Sequence, residues 1–122
     1  MILVDSPVWI DHLRSPDERL SALLSIREIL VHPFVLGELF LGMIRNRSGL
    51  IETFRDLPRA SVASPHEVLA LIASFRLYGR GIGYVDTHLL ASTLMMPGTL
   101  LWSRDRRLAA VAGELGVAAS VP

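Results

Sequence analysis

Short apolar runs alternate along the chain with longer stretches in which apolar positions recur at helical spacing. Ile2, Leu3 and Val4 form the first run, which stops at Asp5. It predicts a strand buried on both faces, as in a parallel sheet. Ser6 followed by Pro7 predicts a helix start, with Ser6 as the N-cap and Trp9, Ile10 and Leu13 on its apolar side. The start signal repeats over Ser15 to Glu18, ahead of Leu20, Leu23, Leu24 and Arg27. Glu28 to His32 reads as a second strand. Pro33 opens a helix to about Asn46, and Ser48 opens another to about Leu57.

Ala60 to Ala63 predicts a third short strand. Ser64 and Pro65 start a helix with Glu67 as its capping-box acid, running to near Tyr78 and Gly79. After the flexible turn Gly81 to Gly83, Tyr84 to Met95 reads as a helix that Pro97 and Gly98 end. Thr99 to Trp102 predicts a fourth strand. Ser103 caps a last helix carrying Leu108, Val111, Ala112 and Leu115, which Gly116 terminates. Val117 to Ala119 predicts a fifth strand. Strands alternating with helices imply an α/β domain with a parallel sheet covered on both faces. Ligands of such sheets sit outside the carboxyl ends of the strands. There is no internal repeat or long linker, so residues 1–122 are expected to form one domain.

Composition narrows the chemistry. Apolar residues make up 51% of the 122, too many for a disordered chain. The absence of cysteine removes disulfides, thiolate catalysis and sulfur-based zinc sites. Twelve basic residues, all arginine, balance twelve acidic ones, which excludes a strongly basic nucleic-acid coat and leaves only local patches. No signal or membrane-spanning segment is visible, and a cytoplasmic protein is expected.

Four acids occupy unusual places. Asp5 ends the first strand at the expected ligand edge, where it is either a site residue or the polar cap of the next helix. Glu38 lies in the helix Phe34 to Ile44, which is apolar almost all round and so is expected to be buried. A carboxylate there is costly unless it is paired or bound to a metal; the alternative is that Glu38 faces a thin solvent stripe or pairs with an Arg. Gly37 and Gly42 suggest close approach of another backbone. Asp86 and Asp105 fall in the first turns of helices, where they also suit the helix dipole. Clustered carboxylates repel and retain protons unless a cation sits among them. Hard oxygen donors without Cys or His suit Mg2+ or Mn2+. Metal-assisted phosphodiester hydrolysis is the chemistry implied.

The runs Ile2 to Asp11, Glu38 with Leu39, Gly83 to Ser92 and Trp102 to Leu108 together resemble the PIN-domain ribonucleases, and most closely the VapC toxins of bacterial toxin–antitoxin pairs. The four pieces occur in the family's order and span nearly the whole chain. The resemblance implies a three-layer α/β/α sandwich with a parallel sheet of about five strands. It implies that Asp5, Glu38, Asp86 and Asp105 surround one or two divalent metals, Mg2+ or Mn2+. It also implies RNA cleavage leaving a 3′-hydroxyl and a 5′-phosphate, a homodimer, and a cognate VapB-like antitoxin. Ser6 and Ser103 match hydroxyl positions that support such a site. Pro7 stands where many relatives carry Ser or Thr, and Ser103 replaces a frequent Thr; neither change removes an acid.

RNA requires cationic contacts, and Arg104, Arg106 and Arg107 flank Asp105 while Arg80 precedes the flexible glycines. His88 follows Asp86 by two residues; it is either a substrate contact or a helix-surface residue. His12, His32 and His66 show no spacing that suggests a site. Excess apolar residues on the first two helices predict a groove for an amphipathic antitoxin segment. Two alternatives compete: a non-catalytic scaffold of the same fold that binds RNA or protein, and a Mg2+-dependent phosphoryl-transfer domain. A receiver domain would want a Lys after a late strand, and the chain has none. A haloacid-dehalogenase-like site would want a second Asp where Pro7 and Val8 stand.

Overall fold

The computed structural model describes residues 1–121. The elements are β1 (Ile2–Val4), α1 (Ser6–Arg14), α2 (Glu18–Ser25), β2 (Ile29–Leu30), α3 (Pro33–Leu41), α4 (Arg47–Asp56), α5 (Pro65–Ser74), α6 (Tyr84–Met95), β3 (Leu100–Trp102) and α7 (Arg106–Glu114). The strands form a parallel sheet in the order β2-β1-β3. Leu3 and Val4 point to opposite faces and both are fully buried, so helices cover the sheet on both sides.

Three strands are present among the described residues where five were expected. The two outer segments reach the sheet but pair only once each: Arg59 bridges Val31, and Ala118 bridges Leu101, both parallel. Val31 donates to the carbonyl of Pro58, and Ala60 donates to that of Val31. Beyond Ala60 the chain turns into the Ser64 cap of α5, so the expected strand to Ala63 stops at one residue pair.

Helix starts are governed by local caps. The Ser64 hydroxyl accepts from Glu67 N while the Glu67 carboxylate accepts from Ser64 N, the reciprocal box expected for α5. At α1 the cap is Asp5, one of the two readings its position allowed, rather than Ser6, and at α7 it is Asp105 rather than the expected Ser103. Each carboxylate accepts from backbone N–H groups of the first turn.

Helix ends moved more. α3 stops at Leu41, five residues short of Asn46. The Arg47 guanidinium donates to the carbonyls of Phe40 and Gly42, and Asn46 turns to cap α4 by accepting from Gly49 N. α5 stops at Ser74, because Arg76 takes a left-handed conformation that closes the helix. The α6 bounds agree with expectation, and Thr87 through Thr93 of that helix are all buried. No helix among the described residues is long and apolar enough to cross a membrane.

Candidate active site

Asp5 is the hub of the carboxyl edge. It follows β1 directly and is buried, 5% exposed. Its Oδ1 accepts from Ser6 N at 2.8 Å, and its Oδ2 accepts from the Ser103 hydroxyl at 2.9 Å. Parallel pairing of β1 with β3 brings these two loops together, since Val4 is in register with Trp102. Ser103 Oγ in turn accepts from Asp105 N at 3.1 Å, so one hydroxyl joins the first and last of the four acids. On the other side, Ser6 Oγ donates to Glu38 Oε1 at 3.1 Å. Ser6 and Ser103 thus act as bridges between the acids rather than as helix caps.

Burial pushes the Asp5 carboxyl above its ordinary range. The hydrogen bonds from Ser103 and Ser6 pull it back, and the negative charges of Asp86 and Glu38 push it up again. The structure therefore couples Asp5, Glu38 and Asp86 electrically, while Asp105 joins through Ser103. Asp86 is half-buried in the first turn of α6, with Oδ2 accepting from Gly83 N at 2.9 Å. Asp105 is exposed, and its Oδ1 accepts from Arg107 N and Leu108 N. Among the described residues no three His, Cys, Asp or Glu side chains converge into a cage that would hold a metal ion unaided. The donor set is nevertheless oxygen-only and mutually repulsive, which suits a hard cation that keeps much of its water.

Glu38 differs from expectation. It is exposed, not buried. Only Val35 and Leu39 of α3 are fully buried, while Leu41 is 90% exposed, so an almost wholly apolar helix here buries one face only. Gly37 has no neighbour within 4 Å of where a Cβ would stand, and Gly42 meets only the carbonyl of Leu39, within its own turn. No second backbone approaches them.

The candidate RNA cations divide into two groups. Arg80 makes a two-armed ion pair with Glu114, at 2.8 and 3.0 Å. Arg104 reaches back to Asp11 and Asp17 and lies 5.8 Å from the Trp102 ring centre. Both are committed to intramolecular partners. Arg106 and Arg107 are exposed and form no ion pair among the described residues. Arg107 lies over Gly81, whose positive φ of 80° and missing Cβ leave room for the guanidinium.

His88 is buried rather than on the helix surface. Its ring meets Phe34 at 4.5 Å, Tyr84 at 4.7 Å and His32 at 6.4 Å. His32, given no role by sequence spacing, is wholly buried and caps α3 by accepting from Phe34 N at 3.0 Å. Burial, and secondarily His88, lowers its pKa to about 4. The available signal is its position two residues after β2, at the same edge that holds Asp5.

A groove of about 860 Å3 opens beside the acids between α1 and the α3–α4 region. Its wall includes Trp9, Ile10, Leu13, Leu24, Leu39 and Ile44, with Glu38 at one side and Arg14 and Arg45 among its polar residues.

The PIN domain family model matches residues 2–114. The chain is 47% identical over 118 residues to Ribonuclease VapC32 of Mycobacterium tuberculosis, in both strain CDC 1551 / Oshkosh and strain ATCC 25618 / H37Rv. Those alignments cover 97% of this chain and 95% of each relative. A crystal structure of FitAcB from Neisseria gonorrhoeae superposes with a TM-score of 0.63 at 22% identity, covering 93% of this chain and 94% of that one.

Proposed function

The chain belongs to the PIN-domain family of VapC ribonucleases, and on that premise we propose that it is the endoribonuclease toxin of a toxin–antitoxin pair, cutting RNA with Mg2+ or Mn2+ held by Asp5, Glu38, Asp86 and Asp105. What supports this above all is the buried Asp5, which Ser6, Ser103 and two neighbouring carboxylates link to the other three acids. A bound divalent cation supplies neutralisation of the acids and of the phosphate, and polarises water.

The chain's own residues do the positioning. Asp5 is held by two hydrogen bonds, so its carboxylate meets a ligand in one fixed orientation. Glu38 has one oxygen tied to Ser6, leaving Oε2 to orient a water and accept its proton. Asp86 and Asp105 each keep one carboxylate oxygen outside their helix-start hydrogen bonds. Arg106 and Arg107, exposed beside Asp105, are available to phosphates.

Two protein contacts complete the reading. The apolar groove beside α1 takes an amphipathic helix of the cognate antitoxin, and its contact with Glu38 gives the antitoxin access to the site it silences. The α5–α6 face exposes Leu69, Phe75, Leu94 and Met95 and is the surface offered to a second copy. Sedimentation of the antitoxin-free protein checks that dimer.

The deciding experiment is incubation of total cellular RNA with purified protein in Mg2+ or Mn2+, with EDTA, and with Asp5→Asn. Discrete cuts that vanish with EDTA and with the variant are expected. No cutting by folded, metal-loaded, antitoxin-free protein would leave a binding scaffold as the better reading.

A further inference from the structure

We infer, resting on the ribonuclease reading above, that Phe34 and Tyr84 form a stacking platform for an unpaired base next to the scissile phosphate, with His88 as the buried prop that sets both rings. The two rings come from different helices and meet on one histidine. His88 is 2% exposed and contacts Phe34 at an interplanar angle of 64° and Tyr84 at 87°. Phe34 and Tyr84 themselves remain 36% and 49% exposed. Their orientation is fixed from beneath while surface is left for a ligand.

The backbone under each ring is also held. Phe34 N donates to His32 Nδ1 in the first turn of α3, and the His32 ring packs against that of Phe34 at 5.0 Å. Tyr84 and His88 are one turn apart on α6.

Position relates the platform to the acids. Phe34 and Glu38 are one helical turn apart and both exposed, so they share a face of α3. Tyr84 directly follows Gly83, whose N–H donates to Asp86. Both rings thus stand within one helical turn of a candidate acid, Phe34 of Glu38 and Tyr84 of Asp86, on the side where the base of a bound nucleotide can reach them. Proteins hold single-stranded nucleic acid by combining backbone contacts with aromatic faces, which accept any base. Stacking on these rings engages the base itself, which phosphate contacts by the unpaired arginines do not.

The test separates base from backbone. A fluorescein-labelled hexaadenylate and a hexamer of the same ribose-phosphate backbone without bases are titrated against the protein by anisotropy, with Ca2+ replacing Mg2+ so that strands stay whole. The base-bearing strand is expected to bind about five- to a hundred-fold tighter than the abasic one. Phe34→Leu and Tyr84→Leu, which keep apolar bulk and lose the ring, are expected to remove most of that difference and leave abasic binding unchanged. Tyr84→Trp is expected to keep it. Equal affinity of the wild-type protein for the two strands overturns the platform while the RNA reading stands. So does an equal loss for both strands in the Leu variants, which marks a purely structural role. If neither strand binds, the ribonuclease reading falls and the platform falls with it.

Discussion

Ser103 and Asp5 lie 98 positions apart, yet the Ser103 hydroxyl donates to Asp5 Oδ2 at 2.9 Å. Ser103 Oγ also accepts from Asp105 N, so this hydroxyl holds two candidate ligands in register. Replacement by Ala leaves a buried carboxylate oxygen without its donor, at a cost on the order of 1–3 kcal/mol. Ser103→Ala is expected to lower stability in urea and to reduce RNA cleavage by about tenfold or more. Ser103→Thr, which keeps the hydroxyl, is expected to retain both. Equal loss in the two variants would show that the side chain's shape matters, and not its hydrogen bonds.

Burial first, and then the nearby charges of Asp86 and Glu38, disfavour the ionised Asp5, so it costs the metal-free fold some stability. Asp5→Asn removes one charge from the cluster, still offers an oxygen to Ser6 N, and lets its amide NH2 donate to Ser103 Oγ in place of the bond that Ser103 donates in the wild type. In EDTA the variant is expected to melt no lower than wild type. Addition of Mg2+ is expected to raise the melting temperature of wild type alone, since a ligand at about one hundred times its Kd adds about 2.7 kcal/mol. Thermal melts of both proteins with and without Mg2+ check this, and a variant that gains as much from Mg2+ as wild type would remove Asp5 from the metal shell.

Arg104 ties the loop after β3 to the junction of α1 and α2 through Asp11 and Asp17. Exposed pairs contribute little singly, but this guanidinium bridges two acids and lies over Trp102. Arg104→Ala is expected to cost about 1 kcal/mol of stability with RNA affinity unchanged. Arg106→Ala and Arg107→Ala are expected to do the reverse. Each should reduce the slope of log affinity against log salt by about 0.7, the value for one phosphate contact on a single strand. Salt titrations of the three variants separate the two roles.

His32 contributes a pH dependence to stability. Its folded pKa, lowered to about 4, lies below the ordinary value of 6.5, so folding favours the neutral ring. The stability it contributes is complete above pH 6.5, falls as pH drops, and is gone once pH passes below about 4. His88 is the titratable neighbour that faces it, and it too is pushed down by burial. Urea unfolding from pH 7 to pH 4 is expected to show a loss on the order of 2–3 kcal/mol. His32→Asn keeps an acceptor for Phe34 N and removes the titration, so its curve should be flatter. Parallel curves would assign the loss to other groups.

What the sequence determined by itself was whatever is settled within a few residues. Ser64 with Glu67 caps α5 because side chain and backbone N–H are three residues apart. Pro7, Pro33 and Pro65 mark helix starts because a proline there sacrifices no hydrogen bond. The alternation of apolar runs and helical spacing implied the parallel sheet, and it put Asp5 at a strand end and Asp86 and Asp105 at helix starts. Tertiary structure decided the rest, because the energies involved are pairings between distant segments. Whether residues near Arg59 and Ala118 become strands depends on how long they run beside Val31 and Leu101, and each manages a single bridge. An apolar helix such as α3 does not declare which side the core covers, so Glu38 emerged at the surface. Arg104 found Asp11 and Asp17, and His32 found His88, only once packing had brought α1, α3 and α6 to the same edge. The acids could be named from their local positions; the linking of Asp5, Glu38 and Asp105 through Ser6 and Ser103 is a property of the folded sheet.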